Sequence, residues 1–344
     1  MIKTIEANMK AKFIRYLINS KYSVSRALNF PVVTPAFIQI NVTSRCNLKC
    51  RICTTYQFPS SAQSELSTGE IRNIILQAKQ MRINKIVFSG GEPLLREDIF
   101  KLFTFAKNDA QMELILTTNA TLIDKAVTRK ILDAGVNTVQ ISLDGADAKT
   151  HDHIRGSGAF AKTQEAINAL NTFRSEGLAI GLSYTVNSYN YHQMHALLEL
   201  GQNLGVDHVL FIPFIEDNTY AHSNHSLSSF LLNREKIDDF RGVIRKIVDF
   251  KNRHAKPAII NAHNLYLYEK YFNGTLKNRH WQCFAGFHWI QINPNGDLTM
   301  CGFHYGNIRE NRLKDIWYSA EAFRARGRIK QCQKLCLQPC MSKP

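Results

Sequence analysis

The chain has 344 residues, 44% hydrophobic and 21% charged, which excludes a low-complexity or disordered polymer and suits one large α/β domain plus a smaller one. No apolar run approaches the roughly 18 residues of a membrane span, and the basic N-terminus lacks an apolar stretch with a small-residue cleavage site, so neither a transmembrane segment nor a signal peptide is expected. The formal charge of +15 comes from 43 basic residues spread without a long block; it leaves open nucleic acid, an anionic membrane surface or an anionic substrate.

Residues 1–36 read as an N-terminal helical segment. Phe13, Ile14, Leu17 and Ile18 form an apolar stripe beside Lys10, Lys12, Arg15 and Lys21. Such a helix either closes one end of the main domain, the expected arrangement, or lies on a membrane. Pro31 and Pro35 end the segment. From residue 37 to about 215, strand and helix alternate. Six strands are predicted near 37–42, 85–89, 113–117, 138–143, 178–186 and 208–213. Ser67 and Glu70 make a capping box ahead of a helix with Ile71, Ile74, Ile75 and Ala78 on one face. Further helices are expected around 99–106, through Val127, Ile131 and Leu132, through Ala166, Ile167 and Leu170, and over 194–204. This alternation implies a parallel sheet with helices outside, whose chemistry gathers at the C-terminal ends of the strands. Residues 216–280 form a bridge with one helix near 233–251. Residues 281–344 form a small cysteine-rich region of hairpin and helix, with Asn293-Pro-Asn-Gly-Asp297 as the turn.

Eight cysteines stand three near residue 50 and five after residue 280. In a chain without an export signal, that grouping favours metal ligation over disulfides and places the protein in a reducing cytoplasm. Cys46, Cys50 and Cys53 follow the first strand with C-x3-C-x2-C spacing. Three thiolates can hold an iron–sulfur cube with its fourth iron open to a ligand. A zinc knuckle or redox set is the alternative, but zinc wants a fourth ligand, and the loop as far as Ser67 offers only Glu65.

This stretch resembles the signature of the radical S-adenosylmethionine (radical SAM) superfamily. The resemblance implies a partial (β/α)6 TIM-like barrel over 37–215, with the open iron chelated by S-adenosylmethionine. Reductive cleavage of that cofactor would then start hydrogen abstraction from substrate. Gly90-Gly91-Glu92-Pro93 matches the family's GGEP motif, implied to bind the amino group of S-adenosylmethionine. Asn119 lies in a turn similar to the family's TNG. Ser142 and Asp144 match residues near the ribose and methionine moieties, and Arg155 matches an arginine that pairs with the carboxylate. Ser183 and Asn187 are weaker candidates. Glu216, Asp217, Tyr220 and His222 are expected at the barrel mouth, as substrate contacts.

The C-terminal region, with Cys283, Gly296 and Cys301, then Gly306-Asn-Ile308 and Asp315-Ile-Trp317, resembles the SPASM/twitch extension of the same superfamily. That resemblance implies one auxiliary [4Fe–4S] cluster drawing on Cys283, Cys301, Cys332, Cys336 and Cys340. The C-x3-C-x3-C tail departs from the family's spacing, which leaves open which of Cys332, Cys336 and Cys340 is spare; Cys336 and Cys340 are preferred as ligands. A structural zinc is the alternative. The implied activity is that of an oxidoreductase or modifying enzyme acting on a peptide or a sugar-like small molecule. A reductase, flavodoxin or ferredoxin would donate electrons, and nucleic acid is not expected as a partner. The competing reading is a non-enzymatic iron–sulfur or zinc protein that binds nucleic acid.

Overall fold

Six parallel strands follow one another across the sheet in chain order: β1 Phe37–Asn41, β2 Lys85–Ser89, β3 Glu113–Thr118, β4 Thr138–Ser142, β5 Ala179–Val186 and β6 His208–Pro213. The computed structural model describes residues 20–57, 64–174, 177–215, 228–232, 234–277, 281–332 and 336–337. Phe13, Ile14, Leu17, Ile18, Glu216, Asp217, Tyr220, His222 and Cys340 lie outside the described residues. In all of these strands except β5, burial alternates residue by residue. Ile38 and Ile40 of β1 and Ile86 and Phe88 of β2 are fully buried, and the intervening side chains, Gln39, Asn41 and Ser89 among them, are only partly so. One face of the sheet thus meets the helices while the other lines a concave interior.

A helix covers 20–28 (α1). The helices between the strands are α2 Thr68–Gln80, α3 Ile99–Thr104, α4 Lys125–Asp133, α5 Ala148–Arg155, α6 Ala159–Thr172 and α7 Met194–Asn203. Ser67 caps α2 in a reciprocal capping box with Glu70, and Ile71, Ile74, Ile75 and Ala78 pack inward. α5 is a helix that hydrophobic periodicity does not announce. Its sequence, AKTHDHIR, buries only His151 and Ile154; it starts because the Asp147 side chain accepts from the Thr150 N–H at 2.8 Å. It ends at Gly156, whose φ of 118° suits glycine.

After β6 come α8 Ile237–Arg253, a two-residue strand β7 (Ala258–Ile259) beside β6, and α9 Leu265–Phe272. The C-terminal hairpin then departs from expectation. Its strands β8 Trp289–Ile292 and β9 Asp297–Met300 form as predicted around the Asn-Pro-Asn-Gly turn. However, β8 also pairs in parallel with β1, Phe37 opposite Trp289 and Ile40 opposite Ile292. With β10 (Phe303–Asn307) antiparallel to β9, all ten described strands join one sheet, ordered β10-β9-β8-β1-β2-β3-β4-β5-β6-β7. All four residues of β8 are buried. A strand covered on both faces leaves its backbone groups no water, so it takes its hydrogen bonds from β1.

Two last helices, α10 Leu313–Trp317 and α11 Ala320–Lys330, close this end. Arg326 of α11 is buried, donates to the carbonyls of Gly286 and Trp317 at 2.7 Å each, and lies 4.4 Å from the Trp317 ring. Burial pulls its pKa down to about 10. α1 packs on the same region through Tyr22, Phe284 and Phe287. No helix among the described residues is long and apolar enough to cross a membrane.

Candidate active site

β1 runs into the loop that carries Cys46, Cys50 and Cys53. The loop folds on itself through Cys53 N–H to the Cys50 carbonyl (3.1 Å) and Leu48 N–H to Cys46 Sγ (3.5 Å). All three cysteines line one cavity of about 290 Å3, at the C-terminal ends of the strands. Gly90, Gly91, Thr117, Thr118, Asn119, Ser142, Arg155 and Thr185 line it too. No histidine and no carboxylate stands among the described residues that line it. Burial pushes the Cys50 thiol up to about 11, against the opposing pull of Arg155, and burial also raises Cys46. Bare thiolates are therefore disfavoured here, and a bound cationic centre would release their protons.

The loop after β2 lies flat against this cysteine loop. Gly91 N–H donates to the Thr43 carbonyl (2.7 Å) and Glu92 N–H to the Arg45 carbonyl (2.8 Å). A Cβ at Gly90 would sit 2.3 Å from the Thr43 oxygen, and one at Gly91 2.2 Å from the Arg45 oxygen. The glycines are thus required by backbone approach. Glu92 points away from the cavity and is fully buried. Its carboxylate accepts from Thr118 Oγ1 (2.8 Å), Asn119 N–H (2.8 Å) and Leu94 N–H (3.2 Å). Burial nonetheless raises its pKa, the hydrogen bonds opposing. Neither Glu92 nor Pro93 is among the residues that line this cavity. Glu92 instead fixes Asn119, whose side chain reaches Asn47 Oδ1 (2.9 Å) and faces Cys46 Sγ at 3.9 Å.

Asp144 is likewise behind the wall. Its side chain is fully buried, accepting from Arg155 Nε (2.6 Å) and Thr185 N–H (2.6 Å). Arg155 faces the cavity, and Cys50 Sγ–H meets its carbonyl at 3.8 Å. His151, one turn before Arg155, accepts at Nδ1 from the Asp144 N–H (3.1 Å). Its neutral ring therefore carries the proton on Nε2, which has no partner among the described residues. Burial lowers its pKa to about 4, with Arg155 adding to the effect.

A second group of thiols forms at the base of the C-terminal hairpin. Cys336, Cys301 and Cys332 all lie within electrostatic reach of Cys283, whose thiol burial pushes up strongly. Cys332 stands in this group with Cys336, and Cys340 lies outside the described residues. Across the described residues, no three His, Cys, Asp or Glu side chains are placed to hold a single metal ion. A zinc ion demands sulfurs about 2.3 Å from one point, whereas in a cubane each thiolate binds its own iron.

The family model of the radical SAM superfamily matches residues 40–201, and that of an iron–sulfur cluster-binding domain matches residues 283–341. This chain belongs to the radical SAM superfamily. It is 28% identical over 321 residues to an Fe-coproporphyrin III synthase of Methanosarcina barkeri, covering 88% of this chain and 79% of that one. It is 25% identical over 299 residues to a PqqA peptide cyclase of Granulibacter bethesdensis, covering 84% and 75%. Streptococcus suis SuiB bound to precursor peptide SuiA shares the fold, with a TM-score of 0.70 at 19% identity, covering 92% of this chain and 71% of that one.

As a radical SAM protein with a SPASM domain, the chain is an enzyme that uses S-adenosylmethionine, a [4Fe–4S] cluster that binds it, and an auxiliary cluster. Among the sequence candidates, the three N-terminal cysteines, Gly90, Gly91, Asn119, Ser142 and Arg155 share the cavity, while Glu92, Pro93 and Asp144 support it from behind. Ser183 and Asn187 do not line it: Ser183 Oγ accepts from Gln140 (3.0 Å), and Asn187 is buried against the Thr185 carbonyl (2.9 Å). Sequence reasoning missed Thr185, Ile52 and Tyr56. Thr185 alternates correctly along β5 to be found; the other two sit in an aperiodic loop.

A second cavity of about 520 Å3 shares Thr55, Ser89 and Gly90 with the first. It is lined by Gln39, Asn41, Thr43, Asn293 and Asn295 among others, and no described lining residue carries a formal charge. Its carboxamides are chained: Gln39 Nε2 donates to Asn41 Oδ1 (3.0 Å) and Asn41 Nδ2 to Asn293 Oδ1 (3.4 Å), an oxygen that also accepts from Gln291 Nε2 (3.1 Å) behind the lining.

Proposed function

We propose that Cys46, Cys50 and Cys53 hold the cluster that binds S-adenosylmethionine, with Gly90, Gly91, Asn119, Ser142 and Arg155 forming the adjoining cofactor site. The observation that carries this reading is the common cavity of three thiols and Arg155, with no histidine or carboxylate among its described lining residues to fill a fourth position. The donor chemistry fits an iron–sulfur cluster with an open iron. When bound, the cluster and S-adenosylmethionine supply one-electron cleavage and hydrogen-atom abstraction. The chain's own residues orient the cofactor. Arg155, steered by Asp144, has N–H groups left for a carboxylate, and the glycine backbone at 90–91 admits an ammonium closely.

Cys283, Cys301, Cys332 and Cys336 are the ligands we assign to the auxiliary cluster, which assists the oxidation or modification of substrate. Residues 37–215 then serve as the radical SAM core, 281–344 as the auxiliary domain, 216–280 as the bridge, and 1–36 as the N-terminal segment. The electron comes from a reductase, flavodoxin or ferredoxin in the cytoplasm.

The neutral carboxamide lining of the second cavity favours a peptide substrate. Amides pair donor and acceptor with a peptide group, whereas a tetrapyrrole bearing several carboxylates needs cations. Anaerobic reconstitution with dithionite and S-adenosylmethionine tests the reading. About eight irons per chain are expected for two [4Fe–4S] clusters, with 5'-deoxyadenosine released. Cys50→Ala should halve the iron and end that release; continued release overturns the assignment. Tight binding of coproporphyrin in place of peptide would overturn the substrate class.

A further inference from the structure

Eleven large apolar side chains are exposed among the described residues, and six of them (Val24, Leu28, Phe30, Val32, Tyr318 and Phe323) belong to two neighbouring segments. Phe30 and Tyr318 touch ring to ring, their centroids 5.5 Å apart. Asn29 Nδ2 donates to the Phe323 carbonyl (3.0 Å), and Lys330 Nζ to the Ala27 carbonyl (3.1 Å). The end of α1 therefore lies along α11, from Phe323 to Lys330, and the two present one joined face. Leu28 is 60% and Phe323 51% exposed. These are not frayed ends: the opposite sides of the same elements bury Tyr22, Ser25, Ala322, Ala325 and Ile329. A cluster of this kind on a well-packed surface marks an interaction site.

Charge identifies the occupant. The described residues 20–36 carry Lys21 and Arg26 and no acidic residue, in a chain of net charge +15. On the two segments Lys21, Lys314, Arg324 and Arg328 are exposed, against Asp315 and Glu321, the latter paired with Arg324. A second copy of the chain would bring two such basic stretches together, like charge against like. An anionic bilayer complements them. We propose that this face docks on an anionic phospholipid surface, with Leu28, Phe30 and Phe323 at the acyl boundary and the lysines and arginines among the headgroups. Arg26 of α1 donates to the Cys283 carbonyl at 2.9 Å, so the docking face is joined rigidly to the module holding the second cysteine group. The proposal stands independently of the assignment of cluster ligands.

Co-sedimentation of the full chain with phosphatidylcholine vesicles, with and without phosphatidylglycerol, tests it, alongside light scattering of the free protein. Binding is expected only with phosphatidylglycerol, weakening as salt rises. The double variant Phe30→Glu/Phe323→Glu should lose it by on the order of tenfold or more, with an unchanged circular dichroism spectrum. If that variant does not fold, Leu28→Ser/Phe323→Ser makes the same comparison. Three results would overturn the proposal: no preference for the anionic vesicles, binding unaltered in the variants, or a dimer that the variants dissolve in a chain that ignores vesicles.

Discussion

Arg155 reaches the cavity only because Asp144 holds it there: Nε meets a fully buried carboxylate at 2.6 Å, and the other carboxylate oxygen takes the Thr185 N–H. Two neighbouring strand ends, β4 and β5, and helix α5 are thereby tied to one guanidinium. Asp144→Asn leaves Arg155 charged and unpaired in a nearly closed site. We expect a loss of roughly 3–5 kcal/mol in urea unfolding, with weaker binding of S-adenosylmethionine. Arg155→Lys keeps the charge but not the fork, so it should weaken cofactor binding with a smaller effect on stability. Equal effects of the two variants on both measurements would contradict the division of roles.

Glu92 supplies an isosteric test. Glu92→Gln replaces one acceptor oxygen with an NH2 facing Thr118 or Asn119, both of which donate. The clash of donors should cost about 1–3 kcal/mol in unfolding. Because Asn119 lines the cavity and Glu92 does not, cofactor affinity should fall while the iron content stays constant.

Gly90→Ala and Gly91→Ala each place a methyl inside the contact distance of a backbone oxygen in the cysteine loop. The two loops would have to separate. Iron incorporation, read as iron per chain after reconstitution, is expected to drop in both, whereas Gly69→Ala, with open space around it, should leave it unchanged.

The β/α rhythm was legible because most of the six core strands bury every second residue and each long helix shows an apolar stripe; Lys85–Ser89 and His208–Pro213 form where the pattern put them. α5 was not legible because a helix nucleated by Asp147 and held at the site through His151 and Arg155 needs no stripe. The parallel join of β8 to β1 was hidden for another reason. It links residues some 250 positions apart, and local periodicity is silent about such partners. Within the site, the motifs mark the loops that meet at the cavity, but a motif does not say which of its side chains line it. Glu92 and Asp144 have the chemistry of ligand-binding groups, and only their three-dimensional neighbours show them spent on Thr118, Asn119, Thr185 and Arg155.

The second thiol group yields a ligand count. With Cys283, Cys301, Cys332 and Cys336 as ligands, Cys332→Ser and Cys336→Ser should each lower the iron from about eight to about four per chain. An unchanged iron content in Cys332→Ser would return the fourth position to Cys340.

Acid weakens one tie between the core and the C-terminal module. Glu70 accepts from Arg309 Nε at 2.6 Å and from the Ser67 N–H at 2.7 Å. The Arg309 hydrogen bond, foremost, holds its pKa down to about 2 from an ordinary 4.5. As pH falls, the unfolded chain takes up this proton first. The stabilisation is therefore complete above about pH 4.5 and is lost progressively towards pH 2. The difference in urea midpoint between the parent chain and Glu70→Gln should be constant from pH 7 to 5 and shrink at pH 3.5; a difference that grows in acid would refute the pairing. Glu70 and Arg309 are both more than a third exposed, so salt should reduce the same difference.

The pairing of β8 with β1 means that the cysteine-rich module is a stave of the barrel and not a cassette hung from its end. Removing everything past residue 280 would strip β1 of a neighbour along its whole length, next to the loop that carries Cys46, Cys50 and Cys53. The strand next to the first thiol loop thus takes half of its lateral support from the module that carries the second.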